Sequence, residues 1–245
     1  MNAAIILDCE TTGIDEPDVI QLAWLPLVSS WEPGQKNLCL PGTGPGERGG
    51  VYAWRPRKPI TFGAMAAHHI IPEDLKEEPE WPGRWELPPA TDYLVGHSVD
   101  YDWKAIGSPP DVRRICTLAI ARKLWPEVDS HSLSALVYYL MESREAARNV
   151  LKGAHSAMTD AGLCHFLLTH ELERMPLITT WERLWAASER ARIPDRMPLG
   201  KYGPKNGQPG MLIEELRRAD PDYVSWCVRQ DFDPYLLKAL RGETA

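Results

Sequence analysis

Two acidic residues, Asp8 and Glu10, follow an apolar run in the segment AAIILDCETTGIDE at residues 3–16. Residues 5–7 are continuously apolar, which is typical of a strand that is covered on both faces. Because side chains two positions apart on a strand project from the same face, Asp8 and Glu10 should lie side by side. Two carboxylates this close raise each other's pKa and favour a bound cation such as Mg²⁺. The same pair occurs in strands without a metal, so further acids are required.

A third acid comes from the segment GHSVDYDWKAIG at residues 96–107. A short apolar strand at 93–95 breaks at a glycine, and Ser98 is predicted to cap a helix that starts next to it. Asp102 then lies just inside that helix, where its charge would also interact favourably with the helix dipole. Asp100 is an alternative to Asp102, because both lie at the start of the same helix.

The segment AHSAMTDAGLCHF at residues 154–166 supplies a histidine and a fourth acid. His155 is predicted at or before a helix start, and Asp160 in the opening turns of that helix. A carboxylate there could reach a metal at the edge of the sheet. A histidine exchanges its proton near neutral pH and could accept a proton from water, although a surface or capping role is the commoner one for a single histidine.

The elements that must position these residues follow an α/β pattern. Two β segments, at 18–28 and 50–60, flank a Gly- and Pro-rich connection at 37–50, so the chain is predicted to open with a three-stranded meander. Apolar residues recur at helical spacing in three later segments, which are 117–126, 131–142 and 158–173. Strands followed by helices and at least one further strand predict a layered α/β domain.

The motifs D-x-E-T-T-G, H-S-x-x-Y-D and H-x-x-x-x-D, in that order, resemble those of the DEDDh group of 3′-to-5′ exonucleases, whose fold is ribonuclease H-like. The segments ITFGAMAAHHI at 60–70 and ICTLAIARKLWP at 115–126 resemble segments of its exodeoxyribonuclease X-like members. This group commonly has Asn in place of Ser98 and Phe in place of Tyr101, and both changes keep a polar cap and an aromatic packing residue. The resemblance implies an α/β fold with a ribonuclease H-like mixed β-sheet flanked by helices, plus a small C-terminal module.

The charge argument and the resemblance together predict a two-metal phosphodiesterase. Two Mg²⁺ ions, for which Mn²⁺ would substitute, would be held by Asp8, Glu10, Asp102 and Asp160. His155 would complete the catalytic set by accepting the proton of the attacking water. The substrate-binding residues that the resemblance implies are Thr11, Thr12, Ile14, Met65 and His68.

Among these residues, Ile14 would be an apolar wedge between the last two bases, with His68 or Met65 on the other wall. The alternative is that Ile14 is an ordinary core residue. A wedge tolerates any base, so we expect little sequence preference and a preference for unpaired ends, with single-stranded DNA 3′ ends as the substrate.

The resemblance also divides the chain into an exonuclease domain, a connector helix and a small module of a kind found in bacterial and phage relatives, at 1–175, 176–193 and 194–245. Residues 193–245 carry eight Lys or Arg and eight Asp or Glu, and they are predicted to form a glycine-rich turn region followed by two short helices. Lys201, Tyr202 and Lys205 could contact phosphate or stack on a base, so the module is a candidate for nucleic-acid binding. A packing or dimer role is an equal alternative.

Composition limits the classes of function. The 27 Lys and Arg against 34 Asp and Glu give a formal net charge of −7, which excludes a polycation that coats nucleic acid. The sequence shows no secretory leader pattern and no apolar run of about 20 residues, so we expect a soluble cytoplasmic protein without a membrane partner. The resemblance adds a task in DNA repair. The cysteines, which form no C-x-x-C pair and should be reduced, are Cys9, Cys39, Cys116, Cys164 and Cys227.

Three other functions fit parts of the pattern. A phosphatase with Asp8 as nucleophile would need Asp where Glu10 stands. A non-catalytic nucleic-acid-binding protein of the same fold would be expected to have lost acids, whereas all four acids and His155 are present. A 3′-to-5′ exoribonuclease would use the same site, and no feature of the sequence excludes recognition of the 2′-hydroxyl.

Overall fold

The computed structural model describes residues 3–28, 40–41 and 49–243. The chain divides into two units, unit 1 at Met1–Trp185 and unit 2 at Ala186–Ala245. Most of the glycine-rich connection after Leu38, and with it Cys39, lies outside the described residues. The functions expected of the exonuclease domain and of the C-terminal module stay predictions.

Six strands of unit 1 form a mixed sheet within the described residues. They are β1 (Ala3–Thr11), β2 (Val19–Val28), β3 (Leu40–Pro41), β4 (Gly50–Ala53), β5 (Thr91–Gly96) and β6 (Arg113–Cys116). The order across the sheet is β3-β2-β1-β5-β6, and β4 also pairs with β2. β2 runs antiparallel to β1 and β4, whereas β5 runs parallel to β1 and β6. The three strands predicted at the start of the chain are therefore present as β1, β2 and β4, but β4 ends at Ala53 and the short β3 within the connection was not predicted.

Helices flank this sheet, as the predicted fold class requires. The described α-helices are α1 (Phe62–His68), α2 (Val99–Ala105), α3 (Thr117–Leu124), α4 (Leu133–Leu140), α5 (Arg144–Val150), α6 (Ala157–Arg174), α7 (Trp181–Arg192), α8 (Ile213–Ala219), α9 (Pro221–Cys227) and α10 (Pro234–Arg241). Helix α6 packs against β1 and β2, and also against α3 and α4. None of the described helices is both long and apolar enough to cross a membrane.

Strand β1 is paired differently along its two halves. Its pairing with β5 ends at Ile6 and Val95, whereas its pairing with β2 continues to Thr11. After Gly96 the chain of β5 turns into α2, which packs against β1. A Cβ at Gly96 would lie 3.1 Å from the carbonyl oxygen of Leu7, so the missing side chain permits this close approach. The polar end of β1 therefore pairs with β2 on one side and contacts α2 on the side where β5 has ended.

Within the described residues of 193–245, unit 2 has three short α-helices, α8, α9 and α10, so the prediction of two in this segment was wrong. The apolar pattern from Ile213 to Cys227 is interrupted because Pro221 cannot continue α8. Asp220 then caps α9 by accepting a hydrogen bond from the backbone N–H of Tyr223. The buried core of unit 2 consists of Met197, Ile213, Leu216, Cys227, Leu236, Ala239 and Leu240.

Candidate active site

Three of the predicted acids lie together at the polar end of β1. Asp8 and Glu10 belong to β1, and Asp160 belongs to the first turn of α6. One carboxylate oxygen from each of the three lies within 4.8 Å of the other two. A single cation could therefore contact all three, and oxygen is the ligand atom that Mg²⁺ and Mn²⁺ prefer.

The fourth predicted acid, Asp102, reaches the same strand from α2. Its Oδ1 accepts a hydrogen bond from the backbone N–H of Cys9 at 3.2 Å, and the residue is only 4% exposed. Asp100, the alternative acid of this helix, forms an ion pair with Arg114 instead. The structure therefore brings Asp102, and not Asp100, to β1.

Burial and mutual repulsion favour the protonated forms of these acids. Burial is the largest cause that raises the pKa of Asp8 well above its ordinary value, followed by the charges of the other three acids. Burial and then the charge of Asp160 raise the pKa of Glu10 to about 7. Burial likewise raises the pKa of Asp102 and of Asp160. A divalent cation would relieve this repulsion, so the residues fit a metal centre.

Gln21 ties the start of α6 to β2 and was not predicted. It lies opposite Glu10 in the β1–β2 ladder. Its Oε1 accepts a hydrogen bond from the backbone N–H of Ala157, the first residue of α6, at 2.9 Å. Because Ser156 at the N-cap makes no side-chain capping hydrogen bond, Gln21 caps the helix in its place. The sequence gives only a weak sign of this role, a polar residue within an apolar strand.

His155 immediately precedes Ser156 and is exposed. Its backbone N–H lies 3.3 Å from each carboxylate oxygen of Asp160, and this contact, followed by the charge of the imidazole, opposes the rise in the pKa of Asp160. Its φ of 65° lies in the left-handed region, which is uncommon for residues other than glycine. The imidazole is thus close to Asp160 and open to solvent, where it could exchange a proton with water.

The connection from β1 to β2, residues 12–18, is held by side chains from two helices. The hydroxyl of Tyr101 on α2 donates to the carbonyl oxygen of Gly13 at 2.6 Å and is also hydrogen-bonded to Thr11 Oγ1. His68 on α1 contacts the carbonyl oxygen of Thr11 through Nε2 at 3.2 Å, and its Nδ1 accepts from the backbone N–H of Ile70 at 3.0 Å. The predicted substrate residue His68 is therefore buried, with both ring nitrogens engaged by the protein.

A buried acid that the sequence did not reveal, Asp18, holds the other end of this connection. Its carboxylate accepts hydrogen bonds from the backbone N–H groups of Arg57 and Lys58 at 2.6 and 2.9 Å. Thr12 Oγ1 accepts from the backbone N–H of Asp18 at 3.0 Å, and the Thr12 carbonyl accepts from the N–H of Thr61 at 2.9 Å. The 12–18 connection is thus fixed at several points along its length.

The fixed connection carries a large apolar side chain into solvent. Ile14 is 85% exposed, so it is not a core residue. Phe62, which follows Thr61 at the start of α1, is 89% exposed and was not predicted as a site residue. Met65 is partly buried and packs against the cluster that contains Ile20. A backbone hydrogen bond joins Thr12 to Thr61. The exposed side chains of Ile14 and Phe62 come shortly after these two residues, one on each of the joined segments.

Several solved structures with a similar fold are exonucleases. Exonuclease X in complex with 5′ overhanging duplex DNA has a TM-score of 0.54 and 21% identity, over 76% of this chain and 99% of that one. Exonuclease I of E. coli in complex with a dT13 oligonucleotide has a TM-score of 0.54 and 16% identity, over 78% of this chain and 45% of that one. Another exonuclease I structure has a TM-score of 0.55 and 15% identity, over 97% of this chain and 61% of that one.

These similarities establish the fold. The chain spans less than two thirds of the exonuclease I chains that it matches. No protein-family model and no curated protein matches the sequence. The mixed sheet with flanking helices is therefore ribonuclease H-like, as the resemblance implied, and the activity has to be inferred from the site itself.

Proposed function

We propose that the chain is a metal-dependent 3′-to-5′ exonuclease that releases nucleoside monophosphates from single-stranded or frayed DNA ends. The observation that carries the proposal is the gathering of Asp8, Glu10 and Asp160 within 4.8 Å, with Asp102 hydrogen-bonded to the same strand. The similar structures of exonucleases X and I contain DNA, which supports nucleic acid as the substrate class. A cytoplasmic location and a role in DNA repair stay predictions.

Two Mg²⁺ ions, or Mn²⁺ in their place, would be held by Asp8, Glu10, Asp102 and Asp160. When bound, such ions would activate the attacking water and stabilise the charge of the scissile phosphate and leaving oxygen. They would also explain how a chain with a net charge of −7 can bind a polyanion. The carboxylates must lose their protons to bind metal, so the raised pKa values make this step dependent on pH.

His155 is the proposed proton acceptor. Its imidazole is exposed. The backbone N–H of His155 contacts the Asp160 carboxylate, and this contact fixes the position of the His155 backbone beside Asp160. A ring nitrogen would take the proton from the attacking water. Asp160 would therefore act twice, as a metal ligand and as the anchor of the His155 backbone.

Ile14 and Phe62 are the proposed contacts to the terminal bases. Both side chains are almost fully exposed on segments that hydrogen bonds hold in place, so little ordering would be required on binding. Apolar contact with the face of a base does not depend on which base it is. Thr11, Thr12 and His68 would support this surface from below, because all three are buried. Met65 lies partly buried on the same helix as Phe62 and would form a wall of the base site.

The proposal is tested by replacing Asp8 with Ala and measuring Mg²⁺-dependent nucleotide release from single-stranded DNA labelled at either end. Release should start at the 3′ end and be lost in the variant. A sharper pair is Asp102→Asn, which should abolish release, against Asp100→Asn, which should not, because Asp100 pairs with Arg114. Undiminished release by the Asp8 variant would contradict the proposal.

The same assay separates the other functions. Faster release from RNA of the same sequence would identify an exoribonuclease. Tight binding of 3′ ends by the unaltered protein, without release in Mg²⁺ or Mn²⁺, would identify a non-catalytic binding protein.

A further inference from the structure

Four aromatic rings form a continuous row in unit 2. Tyr202 and Tyr223 meet edge to face with ring centroids 5.2 Å apart, and Tyr223 stacks on Trp226 at 5.7 Å with an interplanar angle of 28°. Trp226 meets Phe232 edge to face at 6.4 Å. The row, which we call the aromatic row, therefore joins the segment at 200–202 to α9 and to Phe232, which lies between α9 and α10.

Polar contacts hold the aromatic row rigidly. Asp220 accepts hydrogen bonds from the Tyr202 hydroxyl at 2.7 Å and from the backbone N–H of Tyr223 at 3.0 Å. The ammonium of Lys201 pairs with the same carboxylate at 2.9 Å and lies 4.7 Å from the centre of the Tyr202 ring. A Cβ at Gly200 would lie 2.7 Å from the Tyr223 hydroxyl, so the glycine allows this ring to pack against the backbone.

One inner ring of the row, Trp226, is exposed to solvent. Trp226 is 47% exposed, which is unusual for the largest side chain of a small unit with its own core. Its backbone carbonyl accepts a hydrogen bond from the side chain of Gln230 at 3.0 Å, which secures the end of α9 below it. The exposed ring is thus presented on a fixed support.

The segment that carries Tyr202 is cationic. Residues 196–211 contain Arg196, Lys201 and Lys205 and no acid. Lys201 is matched by Asp220, but Lys205 and Arg229 are exposed, and neither has an ion pair among the residues that the structure describes. Arg229 follows Trp226 by one turn and its N–H contacts the Trp226 carbonyl.

We propose that the aromatic row, with Trp226 as its stacking face, is a second binding site that takes an internal stretch of single-stranded nucleic acid. A preorganised indole ring stacks on any base, and Arg229, which has no ion pair among the described residues and lies one turn after Trp226, would meet a phosphate. The site needs neither a 3′ end nor a metal ion, so it goes beyond the proposed function of unit 1.

The test uses the full-length protein and a fluorescent, covalently closed circle of single-stranded DNA, which has no 3′ end. Trp226→Ala should weaken binding of the circle at least about fivefold, the lower range of one stacked base, and Trp226→Phe should restore most of it. Tyr138→Ala, at a ring of unit 1 that is 40% exposed, is the matched control and should bind as the unaltered protein does. Thermal unfolding checks that each variant is folded.

A circle that binds equally well to the Trp226→Ala variant overturns the inference. The inference is also overturned if Trp226→Ala changes the molar mass measured by light scattering, relative to the unaltered protein, without changing the affinity for the circle. That result would identify a contact between copies of the chain. Ile14→Ala should weaken binding of a short linear 3′ end, so that ligand reports on unit 1, whereas the circle with Trp226→Ala reports on unit 2. Failure of nucleotide release would therefore reject the function of unit 1 without affecting the inference on unit 2.

Discussion

The hydroxyl of Tyr101 donates a hydrogen bond to the carbonyl oxygen of Gly13 at 2.6 Å. Tyr101 directly precedes Asp102, whose carboxylate accepts the N–H of Cys9. Two successive residues of α2 therefore hold β1 and the connection that follows it, on either side of Glu10. The strand that carries Asp8 and Glu10 and the connection that carries Ile14 are therefore held by the same helix.

Tyr101→Phe removes this hydroxyl and keeps the ring. We expect KM for single-stranded DNA to rise about 3- to 10-fold with a smaller change in kcat, because one hydrogen bond contributes about 0.5–1.5 kcal/mol and the acids stay in place. Steady-state kinetics on a labelled oligonucleotide measures both constants. Tyr139→Phe is the control, since the hydroxyl of Tyr139 donates to Glu127 at the surface. Equal constants for the two variants would argue against a positioning role for Tyr101.

Gln21→Ala removes the cap of α6. The free energy of unfolding should fall by about 1 kcal/mol, as for other lost helix caps, and turnover should fall because Asp160 lies in the first turn of this helix. Ser143→Ala is the matched control, because Ser143 caps α5 by accepting from the N–H of Ala146 at 3.2 Å. The control should lose similar stability without loss of turnover. Denaturant unfolding and kinetics on both variants separate the two effects.

His155→Asn tests the proton acceptor without adding backbone strain, since asparagine tolerates the left-handed region. Turnover should fall at least about a hundredfold, while binding of DNA to the metal-loaded protein changes little. His69→Asn is the control, because His69 is also exposed and has a φ of 59°. Near-normal turnover of the His155 variant would reject the role.

Stability without metal should fall as pH rises. Burial and Asp160 raise the pKa of Glu10 from 4.5 to about 7, so the folded protein keeps a proton that the unfolded chain releases. Its contribution is complete below the unfolded value and is lost as pH rises through the folded one. Mg²⁺ binds the deprotonated acids and should therefore raise the thermal midpoint more at about pH 8 than at about pH 5. The measurement adds Mg²⁺ to protein from which metal has been removed with EDTA. An equal rise in thermal midpoint at the two pH values would refute the metal site.

Glu171 contributes a pH dependence that metal should not reverse. It is fully buried on α6, neither carboxylate oxygen has a hydrogen-bond partner among the residues that the structure describes, and burial raises its pKa well above the ordinary value. The sign is the same as for Glu10: stability is lost as the pH rises and the buried group must ionise. Glu171→Gln should therefore raise the thermal midpoint at about pH 8 and change it little at about pH 4, with or without Mg²⁺. A variant that is less stable at the higher pH would show that the charged form has an unseen partner.

Local rules of the chain were sufficient for much of the site. Strand alternation predicted that Asp8 and Glu10 share a face, and helical periodicity placed Asp160 near the start of a helix. Both predictions depend on residues close together in sequence, whose geometry the backbone largely fixes. The α/β class followed in the same way from the order of strands and helices, whereas the ribonuclease H-like fold was implied by the family resemblance.

The remaining features depend on contacts between distant parts of the chain. Asp102 and Asp100 are equivalent in sequence, and only the packing of α2 on β1 brings Asp102 to Cys9, 93 residues away. The sequence left open whether Ile14 is a core residue. In the structure it is exposed, on a connection that Tyr101 holds through Gly13, 88 residues away. Gln21 caps a helix that begins 136 residues later. Residue types and spacing therefore determined which chemistry this chain can offer. Long-range packing decided which side chains meet, because side-chain burial and hydrogen-bond partners are set by the whole fold and not by neighbours in sequence.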